Sequence, residues 1–312
     1  MSTFYADFWR TPEMKLLLLR TKRKHNLILI ILTSFLWAAL WLSMGNFPAW
    51  AASSGILSNS KAAVDISQVS EGILKIRYTG GKKVKIKVQI TKDDKTIYTY
   101  NLNNRGAYET FPLTEGDGAY SVKVLENVSG NRYSIACSVS VDVTLSNSFA
   151  PFLHPNQFVN YTEDTKAVEL AKELTENKKD DLEKISAVFD YVVDNISYDD
   201  TLAATAESGY IPNLDQVLKK QTGICFDYAA VMAAMLRSQN IPCKLVVGYA
   251  GTTYHAWINV YISGKGWVDK FIYFDGKTWT LMDPTTLSSG GRSKAAKNFV
   301  TNADNYTQKY AY

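Results

Sequence analysis

The chain has 312 residues, of which 46% are apolar, 12% aromatic and 21% charged. That apolar content excludes a disordered chain, and 18 glycines and 8 prolines are too few for a fibrous protein. Three cysteines exclude a disulfide-dense scaffold, and the length predicts about two domains.

The net charge of +4 is concentrated at the N-terminus. Residues 1–51 hold six of the 34 basic residues and two of the 30 acidic ones, so the remainder has 28 of each sign. A nucleic-acid-binding protein would carry a basic face, and the balanced remainder gives no sign of one. We therefore assign the positive charge to a targeting segment and expect no nucleic-acid partner.

The N-terminal segment has the order of a secretory signal peptide. Basic residues at positions 20–24 precede an uncharged apolar run at residues 27–44, and Ala49-Trp50-Ala51 follows it. We predict a signal peptide over residues 1–51 that is cleaved after Ala51. The 18-residue run is also just long enough to span a membrane, so an uncleaved anchor through residues 27–44 is the alternative. Both interpretations predict a secreted or cell-surface protein.

The next part of the chain changes from linker-like composition to a period of two. Residues 52–63 are small and polar, which is typical of a linker, and in residues 64–146 apolar residues alternate with polar ones. Turn residues such as Gly80-Gly81 and Ser129-Gly130-Asn131 separate the short apolar runs. About seven strands at this spacing predict an all-β, immunoglobulin-like sandwich. We expect the lysines at 83, 85 and 87 to lie on its solvated face.

From residue 162 the apolar period becomes helical, so residues 147–312 are predicted to form a second, α+β domain. Ala167, Leu170, Ala171 and Leu174 mark one helix face. A second helix is predicted from Asp181 to about Asn195, with a start signal at Asp180. The tail from Ser288 to Tyr312 fits either a closing helix or a mobile end.

A thiol lies at the start of a further predicted helix. Cys225 follows Gly223 and opens an Ala- and Met-rich stretch to Leu236 that has one apolar face. Backbone N–H groups and the helix dipole favour a thiolate at such a position. A buried, inert cysteine is the alternative, and we adopt that interpretation for Cys137 and Cys243, which lie in predicted strands.

The chain has only three histidines, and His255 is the obvious base for this thiol. His25 lies in the leader and His154 in the interdomain stretch, whereas His255 begins a strand that we predict to run to Ile262. The alternative is a histidine that simply packs on a half-polar strand face.

Asp283 is the candidate for orienting that imidazole. It ends a hairpin that Asp275-Gly276 predicts between strands at 267–274 and 277–282. A carboxylate there can hold one tautomer of a histidine and stabilise its charged form. Asp269 is a weaker competitor, and a plain turn role before Pro284 is the alternative for Asp283 itself.

Five motifs in this order resemble the transglutaminase-like superfamily of papain-type thiol enzymes, in its bacterial secreted or surface form. The residues that carry the resemblance are Gly223, Cys225, Asp227, Tyr228 and Ala229, then Ile241-Pro242, Gly248-Tyr249, His255-Ala256-Trp257 and Asp283-Pro284-Thr285. The resemblance covers roughly residues 162–287. It implies a nucleophile at Cys225, a base at His255, an orienting residue at Asp283, and a Cys-bearing helix packed on an antiparallel sheet. It also implies an oxyanion hole, for which Tyr198 is the candidate side chain.

The resemblance implies acyl transfer through a thioester on a protein or cell-wall peptide. Water would release the acyl group in a protease or amidase, and an amine would release it in a cross-linking enzyme; the sequence does not choose between them. The alternative is a catalytically inactive surface-binding or structural module with the same fold. Because the cysteines and histidines lack the spacing of metal ligands, we expect no metal, and no cofactor is implied.

Overall fold

The computed structural model describes residues 55–93, 95–268, 283–289, 293–300 and 302–312. The predicted leader, the Asp275-Gly276 hairpin and Asp269 therefore lie outside the described residues. No helix in the described part of the chain is long and apolar enough to cross a membrane.

The N-terminal strands form two four-stranded antiparallel sheets, so the predicted all-β region is present with eight strands. One sheet has the order β1-β2-β3-β6 and the other β5-β4-β7-β8. The strands are β1 (Ile56–Ser58), β2 (Ala62–Asp65), β3 (Ile73–Tyr78), β4 (Ile86–Lys92), β5 (Thr96–Leu102), β6 (Glu109–Pro112), β7 (Gly118–Ser129) and β8 (Arg132–Val143).

The first two strands begin inside the interval that composition indicated to be a linker. β1 and the start of β2 lie within residues 52–63, and Ala62 and Ala63 are buried. Small side chains there serve close packing in a sheet, so small size alone was a poor sign of a linker. The alternation in β4 is as predicted, with Ile86, Val88 and Ile90 buried.

Among the described residues, the C-terminal region combines seven α-helices with two sheets. The smaller sheet pairs the two-residue strands β9 (Ser197–Tyr198) and β10 (Thr222–Gly223). The helices are α1 (Lys166–Thr175), α2 (Asp181–Asn195), α3 (Asp200–Thr205), α4 (Leu214–Lys220), α5 (Cys225–Ser238), α6 (Pro284–Ser289) and α7 (Lys294–Val300). The larger sheet has the antiparallel order β13-β12-β11-β14, formed by β11 (Cys243–Ala250), β12 (Thr253–Ile262), β13 (Gly266–Val268) and β14 (Tyr306–Ala311). The last strand shows that the C-terminal tail is part of this sheet.

Helix α5 is the core of this region. Every residue from Asp227 to Arg237 is buried, and the helix packs against β11 and β12. The buried Arg237 guanidinium donates hydrogen bonds to the backbone oxygens of His154, Cys243 and Tyr312. One side chain thus ties the interdomain stretch, the sheet and the C-terminus to the helix that carries Cys225.

A row of aromatic rings connects the sandwich to this helix. Tyr100 of β5 stacks on Phe158 at 5.7 Å between ring centroids, and Phe158 lies 5.5 Å from Phe226. Tyr312 packs against both Tyr100 and Phe158. Since Phe226 directly follows Cys225, the sandwich packs beside the candidate nucleophile.

Candidate active site

The start of α5 holds Cys225 in a defined place. The Asp227 carboxylate accepts a hydrogen bond from the Ile224 backbone N–H at 2.9 Å and another from the Tyr210 hydroxyl at 2.8 Å. A Cβ atom on Gly223 would lie 2.7 Å from the Asp227 Cβ, so only glycine fits there without a shift. Two residues of the Gly-x-Cys-x-Asp motif therefore serve to cap the helix at the thiol.

His255 lies on β12, in the interior of the sheet, and its side chain is almost fully buried. Its Nε2 atom is 2.8 Å from Asp283 Oδ2. The ring lines the same cleft as Cys225, and interaction with Cys225 is one cause of the raised pKa of His255. Residues 255–260 are all buried, so this part of the strand is covered on both faces.

Asp283 is fully buried and immediately precedes α6. Its Oδ2 atom accepts hydrogen bonds from three side chains: His255, the Thr286 hydroxyl at 2.6 Å and the Tyr306 hydroxyl at 2.8 Å. Oδ1 accepts one from the Thr286 backbone N–H at 3.0 Å. The carboxylate therefore caps a helix and contacts the imidazole at the same time, so its two proposed roles coexist.

The hydrogen bonds, rather than burial, decide the charges of this pair. Burial alone would lower the pKa of His255, but its hydrogen bonds with Asp283 and Cys225 raise it to about 10. Burial alone would raise the pKa of Asp283, but the His255 and Thr286 hydrogen bonds lower it. The raised pKa of His255 and the lowered pKa of Asp283 favour a charged imidazole beside a charged carboxylate at neutral pH.

Thr286 and Tyr306 were missed by the sequence reasoning. Thr286 lies three residues after Asp283, the spacing of a helix cap, so a local signal existed. No such signal marks Tyr306, which reaches Asp283 from β14 only because that strand joins the sheet beside β11. Burial, followed by the charge of Asp283, raises the pKa of Tyr306, so its phenol remains a hydrogen-bond donor.

A cleft of about 650 Å³ opens onto the thiol. Its lining includes Cys225, His255 and Tyr198. Tyr198 is on the short strand β9 (Ser197–Tyr198), which pairs in parallel with β10 (Thr222–Gly223), so it is held two residues from the nucleophile's position. Burial, and then the charge of Cys225, raises the pKa of Tyr198, which leaves its hydroxyl protonated as an oxyanion donor requires.

The remaining sequence candidates lie elsewhere. Cys137 and Cys243 are both buried in strands, and burial raises their pKa values to about 11 and about 12. His154 lies 3.8 Å from Glu71, outside the cleft lining.

Comparison with known proteins agrees with the sequence resemblance. Residues 168–270 match the family model of the transglutaminase-like superfamily, an interval that includes Cys225 and His255 but ends before Asp283. Residues 168–270 are therefore similar to a transglutaminase-like domain.

Individual relatives are distant. The Bacillus subtilis protein YebA, itself uncharacterised, is 29% identical over 32% of this chain and 16% of its own length. A protein from Cytophaga hutchinsonii, proposed to be a cysteine protease, aligns over 82% of this chain and 73% of its own with 14% identity and a TM-score of 0.39. Red sea bream transglutaminase aligns over 76% and 49% with 12% identity and a TM-score of 0.29.

Proposed function

We propose that this protein is a thiol enzyme that acylates Cys225 with the carbonyl of a protein or cell-wall peptide. The observation that carries the proposal is that Cys225 and His255 line one cleft, while the His255 ring contacts the buried Asp283 carboxylate at 2.8 Å. In this proposal the sulfur of Cys225 is the nucleophile, the His255 imidazole accepts and returns its proton, and Asp283 keeps the ring in one orientation. Cys225 and His255 line a cleft of about 650 Å³, to which we assign the peptide substrate.

The first half of the reaction forms a thioester. The Cys225 sulfur attacks a peptide or side-chain amide carbonyl, and the C–N bond breaks after the tetrahedral intermediate. His255 gives its proton to the departing nitrogen, which leaves as an amine or ammonia. Backbone N–H groups at the start of α5 and the Tyr198 hydroxyl are the proposed oxyanion donors.

In the second half the C–S bond of the thioester breaks, so that the acyl group leaves as a carboxylic acid or a new amide and Cys225 is regenerated. His255, now neutral, takes a proton from water or from an amine as that group attacks the thioester. Water would make the protein a protease or amidase, and an amine would make it a cross-linking enzyme.

We propose that this chemistry takes place outside the cytoplasm. The basic residues, apolar run and Ala49-Trp50-Ala51 at the N-terminus support export, with cleavage after Ala51 or retention as an anchor. N-terminal sequencing of the secreted protein tests this. A sequence that begins at Ala52 would support cleavage, and an intact N-terminus in the membrane fraction would support the anchor.

The thiol chemistry is tested by substitution and by selective labelling. Cys225→Ala should abolish both casein hydrolysis and incorporation of a small fluorescent amine into casein, while the circular dichroism spectrum is unchanged. Iodoacetamide should label Cys225 first at pH 7, because burial keeps Cys137 and Cys243 protonated. Equal, slow labelling of all three would favour the alternative, an inactive binding or structural module. Comparing the two casein assays identifies the acyl acceptor.

A further inference from the structure

Strand β5 lies at the edge of its sheet, and its outer side has no strand partner among the described residues. Its sequence, TIYTYNL, contains no charged residue or proline, the usual features that keep other chains from pairing with an edge. Ile97, on this strand, is 47% exposed. The edge is therefore chemically open to pairing.

The register determines which backbone groups point outward. The backbone oxygen of Lys85, just before β4, accepts a hydrogen bond from the Asn127 N–H of β7. Because hydrogen bonding alternates along an antiparallel pair, the odd-numbered residues of β4 bond to β7 and the even-numbered ones bond to β5. The β5 partners of the odd-numbered residues, including Thr99 and Ile97, then occupy positions that do not bond to β4. The N–H and C=O groups of Thr99 and Ile97 face the free edge.

A side-chain amide already pairs with this edge at Asn101, the next outward-facing residue after Thr99. The Gln157 side chain donates from Nε2 to the Asn101 backbone oxygen at 2.7 Å and accepts from the Asn101 N–H at 3.3 Å. One amide thus satisfies both outward groups of a residue, as the backbone of an added strand would. Gln157 is fixed in this position by a second bond from Nε2 to Glu109, at 3.0 Å.

The same edge borders the cleft at the thiol. Thr99, Asn101 and Gln157 line it together with Cys225 and His255. Lys87, expected on a solvated face, is also part of this wall, which carries Glu207 as well. Away from the thiol, Lys87 and Glu207 carry opposite charges, so this wall does not favour a charged ligand of either sign, whereas the backbone of β5 offers hydrogen bonds to any peptide.

We propose that the free edge of β5 at Ile97 and Thr99 binds an extended peptide segment of the substrate and aligns it with Cys225. This inference rests on the proposed function for the identity of the ligand as substrate. Main-chain pairing is tolerant of sequence, so it fits an enzyme that acts on unfolded or extended peptide chains. Exposed Ile97 adds an apolar contact beside the strand.

The test removes a single N–H from the edge. Thr99→Pro eliminates the outward N–H without losing a β4–β5 hydrogen bond, since proline is tolerated in an edge strand when its nitrogen faces outward. Thr99→Ala is the matched control, because it removes the same side chain but keeps the N–H. Urea unfolding checks that both variants fold.

Two measurements follow in the full-length protein. The first is kcat/KM for casein, and the second is the Kd of fluorescein-labelled casein for each variant combined with Cys225→Ala, measured by anisotropy. We expect kcat/KM to be about 5-fold lower and Kd about 5-fold higher for Thr99→Pro than for Thr99→Ala, which corresponds to the loss of one hydrogen bond. Alkylation of Cys225 by iodoacetamide, which needs no peptide, should be equal in the two variants.

The outcomes separate the two proposals. If the wild type does not process casein but the anisotropy difference is found, the proposed reaction is wrong and the peptide site stands. If casein is processed through Cys225 but the two Thr99 variants have equal kcat/KM and Kd, the reaction stands and the peptide site is overturned.

Discussion

The hydrogen bond from Tyr306 to Asp283 provides a quantitative test of how the site is stabilised. Tyr306→Phe removes only the hydroxyl, 2.8 Å from an Asp283 oxygen that is fully buried. A hydrogen bond to a charged group contributes about 1.5–3 kcal/mol, and a buried carboxylate cannot replace it with water. We expect the free energy of unfolding at pH 7 to fall by that amount, and kcat/KM for casein to fall about 10-fold.

The same substitution has a defined effect on the ionisation of the site. With one donor lost, the negative charge of Asp283 acts more strongly on His255, so the pKa of His255 should rise further above its usual value. The pKa of Asp283 should rise as well, because its ionised form loses a donor. NMR titration of the His255 ring from about pH 7 to about pH 12 passes through its pKa of about 10, and urea unfolding from about pH 7 down to about pH 2 passes below the usual pKa of an aspartate. Together the two measure these effects.

Tyr310→Phe is the matched control for this prediction. Tyr310 lies on the same strand, β14, and its ring packs against Tyr98 and Tyr312 rather than against the Asp283 carboxylate. Its loss should change stability by less than about 0.5 kcal/mol. If Tyr306→Phe and Tyr310→Phe have the same stability and the same His255 titration, the assignment of Tyr306 as a positioning residue is wrong.

Three further predictions concern the same site. Despite burial, hydrogen bonds raise the pKa of His255 from 6.5 to about 10, so their contribution to stability is complete below pH 6.5 and is lost as pH rises through about 10. The pKa of Asp283 is lowered from 3.8, so its contribution is complete above that pH and is lost as pH falls below it. In urea unfolding, the wild type should therefore exceed Asp283→Asn most between these two ordinary values, and an advantage that grows toward pH 10 would contradict the charge assignment. Gly223→Ala should cost about 1–3 kcal/mol, since its Cβ would meet Asp227 at 2.7 Å, and an unchanged melting temperature would show that the cap adapts. Tyr198→Phe should lower kcat about 100-fold with KM unchanged, and an unaltered kcat would remove Tyr198 from the oxyanion hole.

Local patterns were sufficient for much of the fold. The alternation in Ile86, Val88 and Ile90 predicted a strand with one buried face, and the structure has it. The start signal at Asp180 was also correct, since its carboxylate accepts the Glu183 backbone N–H at 2.9 Å. These predictions succeeded because alternation and capping depend on residues within a few positions of each other.

Other features could not be found by local reasoning. The charged Lys87 was expected in solvent, but it borders the cleft because the C-terminal region packs beside β5. The tail around Tyr306 has no helical or alternating signal that distinguishes a closing strand from a mobile end. Both outcomes depend on segments far apart in the sequence, since Lys87 lines the cleft with Cys225 and β14 pairs with β11 across more than fifty residues. Sequence periodicity contains no information about such pairs.

The sequence by itself determined which side chains could carry the chemistry, because a helix-start cysteine, one histidine in the second domain and an Asp-Pro turn are recognisable from nearby residues. Only the tertiary structure decided that His255 lines a cleft with Cys225 and contacts the buried Asp283, that a C-terminal tyrosine supports the carboxylate, and that a sandwich edge reaches the cleft. Hydrogen bonds and burial set the charges of these groups, and both arise only when distant parts of the chain pack together.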